Sequence, residues 1–203
     1  MRYIWLLIVA CFCFATNANA QTKGYNEWGI GYGYNGSMVN IGSEIRGSNR
    51  GGINLLLSID HYLSEKWSVK GKLQYDMKGW GSSNSLDSPE KDIKLDHELN
   101  YLSLPILINF HFGQGKAFYT HLGPYGAVLL SGKKIDNGVA VKPDVSRMNM
   151  GILWGFGGQV RVKDNVKFFA EFNVLGTFIG AKRSADGNKY HNGVSALTIG
   201  FNF

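Results

Sequence analysis

Apolar and polar residues alternate one for one over most of this chain. Eight stretches show the pattern: Glu27–Tyr34, Ile53–Tyr62, Trp67–Trp80, Leu99–Phe112, Phe118–Leu130, Asn149–Val162, Val166–Phe178 and Val194–Phe203. A period of two puts unlike residues on the two faces of a β-strand. A sustained 3.6-residue period is absent, and after the first twenty residues no run of 18 apolar residues occurs, so the pattern predicts strands and no transmembrane helix. The apolar face carries, among others, Trp28, Ile30, Tyr32, Leu55, Leu57, Trp67, Leu73, Leu104, Ile106, Leu122, Trp154, Phe156, Phe172, Val174, Leu197 and Phe201. No Asp, Glu, Lys or Arg falls on it in any of the eight stretches.

The opposite face holds Glu27, Asp60, Lys70, Lys72, Gln74, Asp76, Lys78, Asn109, His111, His121, Gln159, Arg161, Lys167, Glu171 and Asn173, interleaved with Gly29, Gly31, Gly33, Gly151, Gly155 and Gly157. Two barrels use such a pattern: a soluble one with the apolar face inside, and a membrane one with it outside. Bulk decides between them. The interior of an eight-stranded barrel is only wide enough to be filled by side chains, which suits the glycine-bearing face better than a face of Trp, Phe, Leu and Ile. Five basic and four acidic residues on the inner face nearly cancel, as buried charges must. The expected fold is therefore all-β: an eight-stranded antiparallel up-and-down transmembrane β-barrel.

Connection lengths agree. Leu63–Lys66, Gly113–Ala117 and Lys163–Asn165 are short; Asn35–Gly52, Gly81–Glu98, Ser131–Met148 and Ile179–Gly193 are long and polar. Strict alternation of short and long links matches periplasmic turns and extracellular loops, with both chain ends in the periplasm. Met1–Ala20 reads as a secretory signal peptide: Arg2, an apolar stretch from Tyr3 to Ala15, and Ala18-Asn19-Ala20 before Gln21. A rival lipoprotein signal would modify Cys11, after Ile8-Val9-Ala10. Residues 21–203 then form the barrel domain, in the outer membrane.

Composition narrows the function. Of 203 residues, 44% are hydrophobic and 18% charged, which excludes a disordered chain. Both cysteines, Cys11 and Cys13, lie in the leader, which excludes a disulfide framework and a cysteine zinc site in the mature protein. The net charge of +6 is scattered, so no nucleic-acid partner is expected.

Three short motifs resemble a known family. Leu73-Gln74-Tyr75-Asp76-Met77-Lys78-Gly79, Tyr101-Leu102-Ser103-Leu104-Pro105, and Phe118-Tyr119 through Gly123-Pro124-Tyr125 are similar to the third, fourth and fifth strands of the Bacteroidetes-type outer-membrane β-barrel domain, called porin family or PorT-like. The chain also ends on alternating hydrophobic residues and Phe203, as substrates of the outer-membrane barrel-assembly machinery do. The resemblance implies a fold and a membrane but no single activity.

Candidate chemistry is sparse. His111 and His121 fall on the inner faces of neighbouring strands, His61 at a strand end and His97 in a loop; a metal site needs a third and fourth ligand, and none stands nearby. The inner pair reads instead as hydrogen-bonded lumen histidines. His191 and Ser195 invite comparison with outer-membrane lipid hydrolases but are four apart and lack a third member. Lys70, Lys72 and Lys78 are expected to pair with acids on other strands; an unpaired row would set anion preference in a pore. Gly29-x-Gly31-x-Gly33 reads as close packing, since no helix follows it as a phosphate loop requires. Trp28, Tyr34, Trp67, Trp80 and Trp154 are candidates for aromatic girdles. No catalytic, cofactor-binding or metal residue is assigned, and no enzyme is expected. The expected role is structural or surface-interacting, with outer-membrane lipid and the assembly machinery as partners; the alternative is a narrow channel.

Overall fold

In the computed structural model of the chain, residues 24–41, 44–45, 48–81, 96–136, 139–141, 146–179 and 190–203 are described. They form ten strands: β1 (Asn26–Ile41), β2 (Glu44–Ile45), β3 (Ser48–Tyr62), β4 (Trp67–Gly81), β5 (Asp96–Phe112), β6 (Phe118–Asp136), β7 (Val139–Val141), β8 (Met148–Lys163), β9 (Val166–Ile179) and β10 (Tyr190–Asn202). Eight of them are staves of a barrel. The order runs β10-β9-β8-β6-β5-β4-β3-β1, all antiparallel, and β1 pairs with β10 to close it. The short strands β2 and β7 attach to β1 and β6. Closure reaches the last residue: the backbone N–H of Trp28 donates to Phe203 O at 2.9 Å, and that of Phe203 to Trp28 O at 2.8 Å. A closed ladder leaves no open edge in hydrocarbon.

The register fixes the stagger. A row of neighbours started at Glu27 passes Asp60, Lys70 and Leu107 on β3, β4 and β5. It continues through Gly123, Leu153, Leu175 and Val194, and returns to β1 at Ser37, ten residues further on. Eight strands with a shear of ten tilt by roughly 40°. That stagger decides which side chains meet inside.

Every residue named above for the apolar face points away from the lumen, and large hydrophobics such as Trp28, Tyr34, Leu104, Ile106, Trp154 and Phe178 are exposed. The opposite face is buried, but it is bulkier than the alternation suggests: Leu56, Tyr62, Leu107, Tyr119, Leu153 and Phe169 are also inside. Glycines make the room. A Cβ on Gly157 would lie 2.5 Å from Cζ of Tyr119, and one on Gly31 3.0 Å from Cζ of Phe169. Arg161 departs from its expected inner place; it is exposed at the foot of β8.

Strands extend past the expected bounds at the long-link end. β1 runs on to Ile41, β6 to Asp136, and β5 begins at Asp96, so His97 is in a strand rather than a loop. Backbone pairing continues there beyond the alternating stretches.

The short turns are tightly built. Ser64 Oγ accepts from the N–H of Lys66 and of Trp67 at 3.3 and 3.1 Å. In the 113–117 turn, Gly113 and Gly115 take φ of 79° and 63°, which side chains disfavour.

The ladder skips rungs around β5. Between β4 and β5 the register passes from Gly71↔Ile106 to Gln74↔Ser103, and between β5 and β6 from Pro105↔Tyr125 to Ile108↔Leu122. Pro105 and Pro124 have no N–H to offer. A Cβ on Gly123 would lie 2.0 Å from Ile106 O, so glycine lets the backbones close where proline interrupts them.

Candidate functional site in the barrel lumen

The lumen is built from inward residues of all eight staves, and among the described residues its buried charges pair one to one. Lys167 Nζ is 2.6 Å from Glu27 Oε1, Lys70 Nζ 3.6 Å from Asp60 Oδ2, and Lys78 Nζ 3.5 Å from Asp76 Oδ2. The fourth pair joins Lys72 Nζ to Glu171 Oε1, with side chains 0% and 1% exposed. Three staves lie between β4 and β9 in either direction around the barrel, so this pair spans the whole lumen as a strut. Glu171 also accepts from the Tyr119 hydroxyl at 3.1 Å and from Asn173 Nδ2 at 3.1 Å. Neutral hydrogen-bonding groups around such a pair are what make its burial tolerable. Lys70 and Lys72 pair with acids on other strands, as expected; Lys78 pairs with Asp76 on its own strand, two residues away on the same face.

Asp76, Lys78, Tyr101, Ser103 and Tyr125, from the three family-like motifs, converge towards the long-loop end, while Phe118 and Tyr119 of the third motif stay at the short-turn end. Asp76 accepts from Ser103 Oγ at 2.6 Å and from Asn35 Nδ2 at 3.3 Å. Lys78 Nζ lies 5.5 Å from the Tyr101 ring centroid and 5.7 Å from that of Tyr125, a cation–π arrangement. The Tyr125 hydroxyl meets Thr177 Oγ1 at 2.6 Å. Beside this box, Leu99, Leu107, Ala127, Leu153, Leu175 and Val194 pack with the two tyrosines as an apolar cluster. One part of each motif thus joins a single packing unit on β4, β5 and β6. In the sequence the motifs read as separate signatures, because their convergence depends on the register.

The two inner histidines are each hydrogen-bonded, to different partners. His111 Nε2 meets Ser68 Oγ at 2.9 Å, and His121 Nε2 meets Asn173 Oδ1 at 2.6 Å. The Tyr119 ring stands beside both, at 5.7 and 5.8 Å between centroids. Among the described residues no group of three or more His, Cys, Asp or Glu is placed to hold a metal. His61 is exposed and bonded to Asn26 Oδ1 at 2.6 Å. Ser195 faces outward and donates to Gly36 O at 3.4 Å. The side chains of His97, His191 and Trp80, and the leader with Cys11, lie outside the described residues.

Of the expected girdle residues, Trp28 and Trp67 sit at the short-turn end. There Trp67 packs on Phe110 at 4.9 Å, and Phe112 on Phe118 at 6.1 Å. Tyr34 is exposed towards the other end, and Trp154 lies mid-strand in β8. A Cβ on Gly29 or Gly33 would collide with Ser58 or Asn54, so the glycine triplet is close packing.

Comparison with known proteins gives three findings. The family described as outer membrane protein beta-barrel domain matches residues 17–180. No curated protein matches the chain. Among solved structures, the outer membrane protein OprG from Pseudomonas aeruginosa is 15% identical, with a TM-score of 0.57, covering 91% of this chain and 98% of that one. Ail, the attachment invasion locus protein of Yersinia pestis, is 19% identical with a TM-score of 0.47, covering 90% of this chain and 100% of that chain. At these identities the likeness shows the fold alone.

Proposed function

Because the chain belongs to the family of outer membrane protein β-barrel domains, we propose that it is a structural or surface-interacting barrel of the outer membrane rather than an open pore. One observation carries this reading: the lumen is filled. A strut of Lys72 and Glu171 crosses it, and four ion pairs leave no net charge on the paired residues to draw ions of either sign. The leader Met1–Ala20 directs secretion, residues 21–203 form the barrel, and the long links present a surface to the exterior. Phe203 and the last strand serve recognition by the assembly machinery. No cofactor or catalytic group is called for by this role.

Conductance of the purified protein in a planar bilayer tests it. The expected result is no discrete current steps at neutral pH. Regular steps that vanish when the protein is omitted would favour the rival reading, a narrow channel.

A further inference from the structure

Charges in the lumen are paired; those at the short-turn rim are not. Lys66 ends the β3–β4 turn, Lys116 lies in the β5–β6 turn, and Arg161 and Lys163 stand at the foot of β8. Lys66, Arg161 and Lys163 are exposed and Lys116 is half-buried, and among the described residues none has a carboxylate within ion-pair distance. Two acids, Glu65 and Asp164, share these turns, so four cations face two anions.

Position gives the excess a meaning. Lys66 directly precedes Trp67, Lys116 stands two residues before Phe118, and Arg161 and Lys163 flank the outward-facing Val162. Trp67, Phe110, Phe112 and Phe118 form a contiguous row of stacked and tilted aromatics across β4, β5 and β6 at this end. Aromatic belts settle at headgroup level, so the four cations lie at the plane of lipid phosphates. Lysine and arginine stems also let the charge reach that plane while the carbon chain stays against apolar surface.

We propose that this rim is a binding surface for the phosphates of anionic glycerophospholipids in the leaflet on the short-turn side. The inference rests on the barrel spanning a membrane. Its energy is electrostatic and screened by salt within about 8 Å at physiological ionic strength.

The test uses the full mature chain in nanodiscs of phosphatidylcholine mixed with phosphatidylglycerol, with bound lipids counted by native mass spectrometry. Wild type is expected to retain phosphatidylglycerol in excess of its share in the disc. The quadruple variant K66Q/K116Q/R161Q/K163Q should lose that excess, by roughly five-fold for each cation at low salt. The variant K133Q/R147Q, exposed at the opposite end, should keep it. Equal retention by wild type and the quadruple variant overturns the proposal, as does loss of the excess in K133Q/R147Q. Failure of wild type to enter discs as a heat-modifiable species would instead refute the membrane reading, and each variant is checked by the same gel shift.

Discussion

Replacing Glu171 with glutamine removes one charge from the strut and almost no volume. Lys72 is then left without its carboxylate partner in a site with 0% side-chain exposure. The other partners persist in part: the carbonyl of the new side chain can still accept from the Tyr119 hydroxyl, while its amide group faces both Lys72 and Asn173, which are donors. Removing one partner of a buried pair costs about 3–5 kcal/mol, mostly because the remaining charge is left uncompensated. Removing the charge of both partners should cost much less. The double variant K72M/E171Q keeps a hydrogen-bonding group for Tyr119 and puts a chain of similar length in place of the lysine; its expected loss is about 1–2 kcal/mol. Urea unfolding in phospholipid vesicles, followed by tryptophan fluorescence, measures all three proteins. A loss of less than about 1 kcal/mol in E171Q, or a K72M/E171Q variant less stable than E171Q, would refute the strut as a coupled pair.

Four further outcomes are expected. Phe172→Arg puts a charge on the lipid face of β9 and should lose about 2–4 kcal/mol near the midplane; an unchanged urea midpoint would contradict the outward assignment of that face. Gly157→Ala should displace the Tyr119 ring from its bond to Glu171, at about 1–3 kcal/mol, whereas a variant as stable as wild type would show that the ring can shift freely. A tag at Asn84 should be labelled on intact cells and one near Asp164 should not; the reverse pattern would invert the orientation. Deleting Asn202 and Phe203 breaks the Trp28–Phe203 rungs and should lower the outer-membrane amount seen by fractionation, with export across the inner membrane unchanged; an undiminished amount counts against the closure role.

The lipid face is legible in the sequence, because each outward residue answers to the same solvent and alternation reads that directly. Strand ends at the long-loop side are not: above the bilayer Asn100 and Ser131 still face the same way and bond at 2.9 Å, yet nothing apolar marks them. The lumen is half legible. Polar residues such as Gln74 and Asn173 announce it. Tyr119 and Phe169 do not, since a bulky inner residue is accommodated by a glycine on another stave, and which glycine depends on the stagger. The same holds for the partners of the charges. Lys72 and Glu171 are 99 residues apart, and only a shear of ten carries β4 Lys72 to the height of β9 Glu171.

The one-to-one pairing in the lumen also constrains how the protein can diverge. Eight positions, Glu27, Asp60, Lys70, Lys72, Asp76, Lys78, Lys167 and Glu171, hold four couples. A single neutralising change at any of them strands its mate in a low-dielectric interior, so such steps are selected against unless the mate changes soon after. Inheritance at these sites should therefore be coupled: couples are lost, swapped in sign or kept together, while the outward positions drift independently within the apolar set. The strut couple joins staves on opposite sides of the barrel wall, so recombination that separates β4 from β9 would break it, whereas the Asp60–Lys70 and Asp76–Lys78 couples travel together with the β3–β4 hairpin.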